Sequence, residues 1–139
     1  MADSDDALFG AEHVRAYRES GGEHGYHWRG TTILLLTTVG RNSGEQRTTP
    51  LIHVTDDGRW VVIASKGGTP DDPDWFKNLA ANPEIEIQVK DEVIPVTAEV
   101  VEGEERERLW RAMSAVWPDY DNYAKKTDRR IPVVALSRR

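Results

Sequence analysis

The sequence predicts an α+β fold in which a six-stranded, mainly antiparallel sheet is flanked by helices. Six short β-branched segments follow one another without a regular β-α-β alternation, which favours antiparallel pairing. The segment Ile33–Leu36 is apolar throughout, which indicates a strand buried on both faces. We expect a sheet of this size that contains such a strand to curl into a barrel.

The predicted elements run in the order helix, three strands, helix, two strands, two helices and a final strand. They cover residues 5–19, 31–39, 47–55, 59–65, 74–81, 84–90, 93–101, 104–117, from 118 onward and 131–136. The alternation of Glu84–Lys90 is typical of a half-buried strand, and the helix over 104–117 has an apolar stripe and an acidic start.

Glycine, proline and aspartate define the turns between these elements. Pro50 lacks an N–H, so the second strand must have a bulge or an unpaired edge at that point. Gly58 supplies the positive φ of a tight hairpin turn after the second strand. Asp72 is expected to be the N-cap of the second helix, with Pro73 at its first helical position.

Composition predicts a single domain over residues 1–139, with an N-terminal helix within residues 1–22 and a core over 31–136. There is no apolar run near the roughly 20 residues of a membrane span, no cysteine and no secretory pattern in the acidic start. We therefore expect a cytoplasmic protein without an integral membrane segment and with at most weak membrane association. The net charge of −6 argues against nucleic-acid binding, and the histidine spacing predicts no metal site.

Two glycine-bearing loops carry basic residues, and each follows an apolar strand. The first spans 40–46 and the second spans 65–68. If Thr55 or Asp56 lies opposite Arg59, antiparallel pairing places Arg47 opposite Gly67 or Gly68, with Lys66 one or two positions away. Arg41 adds a third cation from the first loop, so we expect a cluster of three cations at this end of the sheet. Like charges on neighbouring strands repel by about 0.2–1 kcal/mol, whereas glycine amides approach an anion closely. The loops therefore favour an anion site, although exposed arginines beside a turn would give the same pattern.

Four spaced motifs resemble the deazaflavin-dependent nitroreductase family of actinobacteria, within the split β-barrel flavin and deazaflavin oxidoreductases. The motifs are Gly40-Arg41-x-Ser43-Gly44-x-x-Arg47-x-Thr49-Pro50-Leu51, Ala64-Ser65-Lys66-Gly67-Gly68, Pro73-x-Trp75-x-x-Asn78-Leu79-x-Ala81-Asn82-Pro83 and Tyr120-x-x-Tyr123-x-x-x-Thr127-x-Arg129-x-Ile131-Pro132-Val133. The resemblance covers nearly all of residues 31–136. Asn42 and Ile52 depart from it, because members with nitroreductase activity often carry lysine and tyrosine at these positions.

The resemblance implies a split β-barrel like that of FMN-binding proteins, with coenzyme F420 as cofactor. This deazaflavin carries a phosphodiester and an oligoglutamate tail, so it is strongly anionic and matches the predicted cation cluster. The cofactor-binding residues that the resemblance implies are Arg41, Asn42, Ser43, Arg47, Pro50, Ser65, Lys66, Gly67, Gly68, Trp75 and Asn78.

The activity that the resemblance implies is hydride transfer from reduced F420 to a quinone, enone or nitroaromatic acceptor, as in quinone reductases. We expect Ser65, Tyr120 and Tyr123 to be the catalytic donors to the acceptor, in a monomer or homodimer. Trp117 is then either an apolar wall for a flat substrate or a core aromatic. Two other hypotheses stay open, namely a non-catalytic deazaflavin carrier and the same barrel with FMN or haem.

Overall fold

A computed structural model describes residues 2–139 of the chain, with side chains from residue 5 onward. Within this range the strands are β1 (His27–Trp28), β2 (Thr31–Val39), β3 (Gln46–Asp56), β4 (Arg59–Ile63), β5 (Glu84–Val89), β6 (Glu92–Val100) and β7 (Val133–Arg138). The helices are α1 (Gly10–Ser20), α2 (Asp74–Ala81), α3 (Gly103–Val116) and α4 (Asp119–Lys125), with short 3-10 turns at Ala2–Ala7 and Lys66–Gly68.

Six strands close into an antiparallel barrel in the order β2-β3-β4-β7-β6-β5, and β5 returns to pair with β2. The two-residue strand β1, which the sequence pattern did not predict, extends β2 on its outer side. Leu34 and Leu36 point into the barrel core, while Ile33 and Leu35 pack beneath α1. Both faces of β2 are therefore buried, which confirms the prediction from its unbroken apolar run.

Pro50 lies at an unpaired edge, which is one of the two predicted alternatives, and the strand has no bulge there. The β2–β3 register is unbroken over eight residue pairs, with Leu35 opposite Pro50. The Ile33 N–H donates to Tyr26 O, on the side of β2 away from β3. Leu35 is two residues further on and faces the same way, so the Leu35–Pro50 pair is not hydrogen-bonded. The nitrogen of Pro50 therefore faces the open side of β3.

The β3–β4 hairpin is confirmed, but its strands separate early. Asp57 and Gly58 have φ values of 52° and 80°, which fit a two-residue turn of type I′. Pairing continues only as far as Val54–Val61. Beyond that pair, β3 keeps its pairing with β2, and β4 keeps its pairing with β7 on its other edge. The expectation that Arg47 would pair with the glycines of the second loop is therefore wrong, and a cleft opens between the diverging strands.

Two helix starts differ from the prediction. Helix α1 begins at Gly10 rather than near residue 5, because Phe9 is extended and Gly10 has a φ of 60°. The N-cap position of α2 is Pro73 rather than Asp72. The Asp72 carboxylate instead accepts a hydrogen bond from Arg129 Nη1 at 2.7 Å.

Candidate functional site

The larger of two adjoining clefts has a volume of about 400 Å³ and lies where β3 and β4 separate. Its walls come from β3, the segment after β4, the start of α2, and the aromatic residues around α4. Seven of the predicted site residues line it, namely Pro50, Ser65, Lys66, Gly67, Trp75, Tyr120 and Tyr123. The two tyrosines that we expected to contact the acceptor therefore line the same cleft as part of the predicted cofactor site.

The smaller cleft, of about 370 Å³, shares Thr49 and Trp75 with the larger one. The predicted residues that line it are Arg41, Asn42, Ser43, Arg47, Trp75 and Asn78. Lys66 therefore lines one cleft, and the two arginines line the other. The three cations do not surround a single pocket, because the residues that the clefts share lie between them. Gly68 lines neither cleft.

Asn78 orients Arg41 from within the core. The Asn78 side chain is only 4% exposed, and its Oδ1 accepts hydrogen bonds from the Arg41 N–H at 3.1 Å and from Arg41 Nη1 at 2.8 Å. Asn78 Nδ2 donates to Thr38 Oγ1 at 3.3 Å. A neutral, buried amide thus fixes the Arg41 guanidinium at the mouth of the smaller cleft without neutralising its charge.

The three cations differ in their carboxylate partners. Arg41 Nη2 lies 3.5 Å from Asp74 Oδ1, and Arg47 Nη2 lies 3.7 Å from Glu45 Oε1. Both carboxylates are largely exposed, so these pairs are worth about 0–1 kcal/mol each. Lys66 makes no salt bridge within the part of the chain that the structure describes.

The turn that carries Lys66 borders the larger cleft through Ser65, Lys66 and Gly67. Ser65 has right-handed helical dihedrals (φ −82°), and Lys66 and Gly67 follow with φ values of 46° and 65°. Such a sequence of conformations directs successive N–H groups to one side and forms an anion-binding concavity. A positive φ at Lys66 is unfavourable for an L-residue by about 1–2 kcal/mol, so the surrounding structure must maintain it.

Arg129 holds this turn in place, a role that sequence reasoning missed. Its guanidinium is 13% exposed and donates to the carbonyls of Ala64, Ser65 and Thr69 at 3.3, 2.7 and 2.8 Å. The Asp72 carboxylate accepts a further hydrogen bond from the same group. The only signal in the sequence was the presence of Arg129 in the fourth motif, which does not indicate what it contacts.

The far end of the larger cleft is aromatic. Tyr120 is 5% exposed, and burial raises the pKa of its phenol, with repulsion from Tyr123 as a smaller cause. The Tyr120 hydroxyl therefore stays protonated at neutral pH. It makes no hydrogen bond within residues 5–139, and it is not sealed from solvent. Trp28 stacks on Trp117 at a centroid distance of 5.9 Å and also lines the cleft, although sequence reasoning did not select it.

Across the described residues, no group of three or more His, Cys, Asp or Glu side chains is placed to hold a metal ion. None of the described helices is both long enough and apolar enough to cross a membrane. His53 lies outside both clefts, is 3% exposed and has an unpartnered Nδ1. Burial lowers the pKa of His53 to about 4.

A closed six-stranded antiparallel barrel with flanking helices and a cation-bordered cleft defines an α+β split β-barrel fold. The family model described as F420H(2)-dependent quinone reductase matches residues 10–138. The chain belongs to this family, whose cofactor is reduced coenzyme F420.

Individual relatives agree with this assignment. An F420H(2)-dependent quinone reductase of Mycobacterium tuberculosis strain H37Rv is 39% identical over 131 residues, which cover 91% of this chain and 88% of the relative. The solved structure of an F420-H2 dependent reductase, FDR-A, is 44% identical with a TM-score of 0.70, over 76% of this chain and 93% of that one. A solved chain described as a domain-swapped dimer is 40% identical with a TM-score of 0.73, over 89% and 92%.

Proposed function

We propose that this protein catalyses the reduction of a quinone by F420H2. The observation that carries the proposal is the pair of adjoining clefts, one bordered by arginines and the other apolar with tyrosines at one end. The bound, reduced cofactor supplies a hydride, and one further proton completes the conversion of a quinone into a hydroquinone. Enones and nitroaromatic compounds are proposed as additional acceptors of the same cleft.

The residues fit an anionic, flat cofactor. We assign the phosphate and the acidic tail to Arg41, Arg47 and the amides of the Lys66 turn, since these groups provide positive charge and N–H donors. Asn42 and Ser43 lie in the same loop as Arg41, and Gly68 closes the turn. The ring system would lie against Pro50 and Trp75, which line the larger cleft, and Trp75 also lines the smaller one.

The acceptor would lie at the aromatic end of the larger cleft. Negative charge develops on its carbonyl oxygen as the hydride arrives, so hydrogen-bond donors near that oxygen stabilise the transition state. Ser65, Tyr120 and Tyr123 are the donors that line this region. Loss of one donor from such a site typically costs about 2.7–4 kcal/mol. The apolar rings of Trp28 and Trp117 would exclude water around a planar substrate.

The experiment that tests this proposal mixes F420H2 with menadione and follows the return of oxidised-cofactor absorbance, with and without the protein. We expect a clear acceleration by the protein. Tight binding of F420 without any acceleration would refute the enzyme and leave the carrier hypothesis. Titration with F420, FMN and haem, followed by quenching of the five tryptophans, tests cofactor choice.

Variants divide the site into its two proposed halves. Tyr120→Phe and Tyr123→Phe should lower kcat with menadione and leave the Kd for F420 unchanged. Arg41→Ala should raise the Kd for F420, because Arg41 is assigned to the anionic part of the cofactor. A tyrosine variant that weakens cofactor binding as much as Arg41→Ala would contradict this division.

We further propose that residues 1–139 act as one domain in the cytoplasm, as a monomer or a homodimer. A 40% identical chain described as a domain-swapped dimer supports the homodimer. Sedimentation of the purified protein over a range of concentrations distinguishes the two states.

A further inference from the structure

The hydroxyl of Tyr123 receives a hydrogen bond from a neighbouring tryptophan. Trp117 Nε1 lies 3.3 Å from Tyr123 Oη. An indole N–H can only donate, so the direction of this bond is fixed, and the tyrosine oxygen must be the acceptor. The phenol proton of Tyr123 is then left for another acceptor, and no group within residues 5–139 takes it. Both side chains line the larger cleft.

Trp117 is itself held from its other side. Its ring stacks on Trp28 with an interplanar angle of 27°, and Trp28 Nε1 donates to Leu8 O at 2.9 Å. The backbone N–H of Trp117 donates to Met113 O at 3.0 Å at the end of α3. The indole therefore has little freedom to rotate away from Tyr123.

Tyr123 is fixed relative to the turn that carries Lys66. A Cβ built on Gly68 would lie 2.5 Å from Tyr123 O, so α4 packs directly on the backbone of that turn. The Tyr123 ring meets Tyr120 edge to face, at a centroid distance of 6.0 Å and an angle of 81°. With the backbone and ring of Tyr123 held in this way, the remaining freedom of its hydroxyl is rotation of the O–H bond.

We propose that Trp117 is a positioning residue that sets this last rotation. By occupying a lone pair of Tyr123 Oη, the Trp117 N–H turns the Tyr123 O–H away from itself and into the cleft, where it donates to the carbonyl oxygen of the acceptor. This inference rests on the proposed reduction of a quinone. It gives Trp117 a role distinct from that of an apolar wall, because a phenylalanine ring would provide the wall but not the orientation.

A double-mutant cycle tests the proposal. Trp117→Phe keeps an aromatic ring and removes the N–H, and Tyr123→Phe removes the hydroxyl that the N–H orients. We expect Trp117→Phe alone to reduce kcat with menadione by about three- to tenfold, the range of one neutral hydrogen bond. In the Tyr123→Phe background the same substitution should have almost no effect, since no hydroxyl is left to orient. Independent, multiplicative effects of the two substitutions would overturn the proposal.

A second readout uses the cofactor-free protein. In ¹H–¹⁵N spectra, Tyr123→Phe should move the indole N–H resonance of Trp117, and Trp117→Phe should weaken menadione binding only when Tyr123 is present. Trp110→Phe is the matched control, because Trp110 Nε1 donates to Asp121 Oδ1 at 2.7 Å outside the cleft. An unmoved Trp117 resonance, or an equal loss of menadione affinity in both backgrounds, would overturn the proposal. If the wild-type protein itself fails to reduce menadione, the proposed function fails instead, and the spectra still report whether the hydrogen bond exists.

Discussion

Arg129 offers the sharpest test of how the turn that carries Lys66 is held. Its guanidinium makes five hydrogen bonds, to Thr69 O, Ala64 O from both terminal nitrogens, Ser65 O and Asp72 Oδ1. Ala64 is fully buried in the folded protein, and its carbonyl oxygen loses both of its Arg129 hydrogen bonds on substitution, which costs about 1–3 kcal/mol. Ser65, Thr69 and Asp72 are more exposed and can be rehydrated. We therefore expect Arg129→Ala to lower the free energy of unfolding by about 2–4 kcal/mol.

Urea unfolding followed by tryptophan fluorescence measures this loss. Arg130→Ala is the matched control, because Arg130 is 63% exposed and pairs with Glu102 at the surface, and it should cost about 0.5 kcal/mol or less. Arg129→Lys keeps the charge but cannot reach every carbonyl, so it should fall between the two. Arg129→Ala should also weaken F420 binding, since the amides beside Lys66 are no longer held. If Arg129→Ala and Arg130→Ala differ by less than about 1 kcal/mol, the clamp that we infer from the geometry does not exist.

Three further substitutions test neighbouring features. Lys66→Ala should raise the Kd for F420 about tenfold, as expected for a lost charge-assisted hydrogen bond, and should make this Kd less dependent on salt. The control is Lys125→Ala, which lies outside both clefts and should change neither the Kd nor its salt dependence. If Lys66→Ala and the wild type have the same Kd, Lys66 is not part of the site. Gly68→Ala should lower the free energy of unfolding by about 2 kcal/mol or more, because Gly68 has a φ of 83° and an added Cβ would meet the α4 backbone at 2.5 Å. Gly67→Ala has a similar φ but open space, so a loss as large as that of Gly68→Ala would refute the packing argument. His53 has a pKa of about 4 in the folded protein against about 6.5 when unfolded, so the unfolded chain binds more protons between these values and stability falls as the pH is lowered through that range. Over this pH range the free energy of unfolding falls by about 3 kcal/mol in total. The urea midpoint of His53→Phe should therefore depend less on pH than that of the wild type.

Features that depend on neighbours in sequence were predicted well. The limits of β2 match the prediction, and the turn at Asp57 and Gly58 pairs Asp56 with Arg59, one of the two registers expected. Both follow from local causes, namely an apolar run and a glycine that supplies a positive φ. The edge position of Pro50 follows equally from the missing N–H of proline.

The divergence of β3 and β4 could not be predicted from the same signals. Extension of the hairpin register would have carried β3 past Val54 alongside the chain that follows β4. Instead the two strands part after Val54–Val61, while β3 stays paired with β2 and β4 stays paired, on its other edge, with β7, whose residues lie about 70 positions further along the chain. Local patterns do not indicate where two paired strands part, because that depends on how the whole barrel closes.

The N-cap prediction at Asp72 failed for a related reason. An aspartate before a proline is a good local cap, but the Asp72 carboxylate instead accepts a hydrogen bond from a distant arginine, which forms an ion pair with it. Arg129 is 57 residues away in sequence, so nothing in the spacing links it to Asp72 or to Ala64. Arg129 lies in one of the motifs that carry the resemblance, and Asp72 lies directly before another. The motifs do not indicate that the two residues are in contact.

The ion pairs at the smaller cleft explain how an acidic protein can keep cations ready for an anionic ligand. With a net charge of −6, isolated arginines attract the chain's own carboxylates. Asp74 and Glu45, the partners of Arg41 and Arg47, are 83% and 70% exposed. Their release into water therefore costs little, at about 0–1 kcal/mol for each pair. Asn78, in contrast, is buried and neutral, so its hydrogen bond to Arg41 would persist if a phosphate replaced Asp74, as we propose. In that case the carboxylates would act as replaceable counterions, whereas the amide would maintain the geometry of the site.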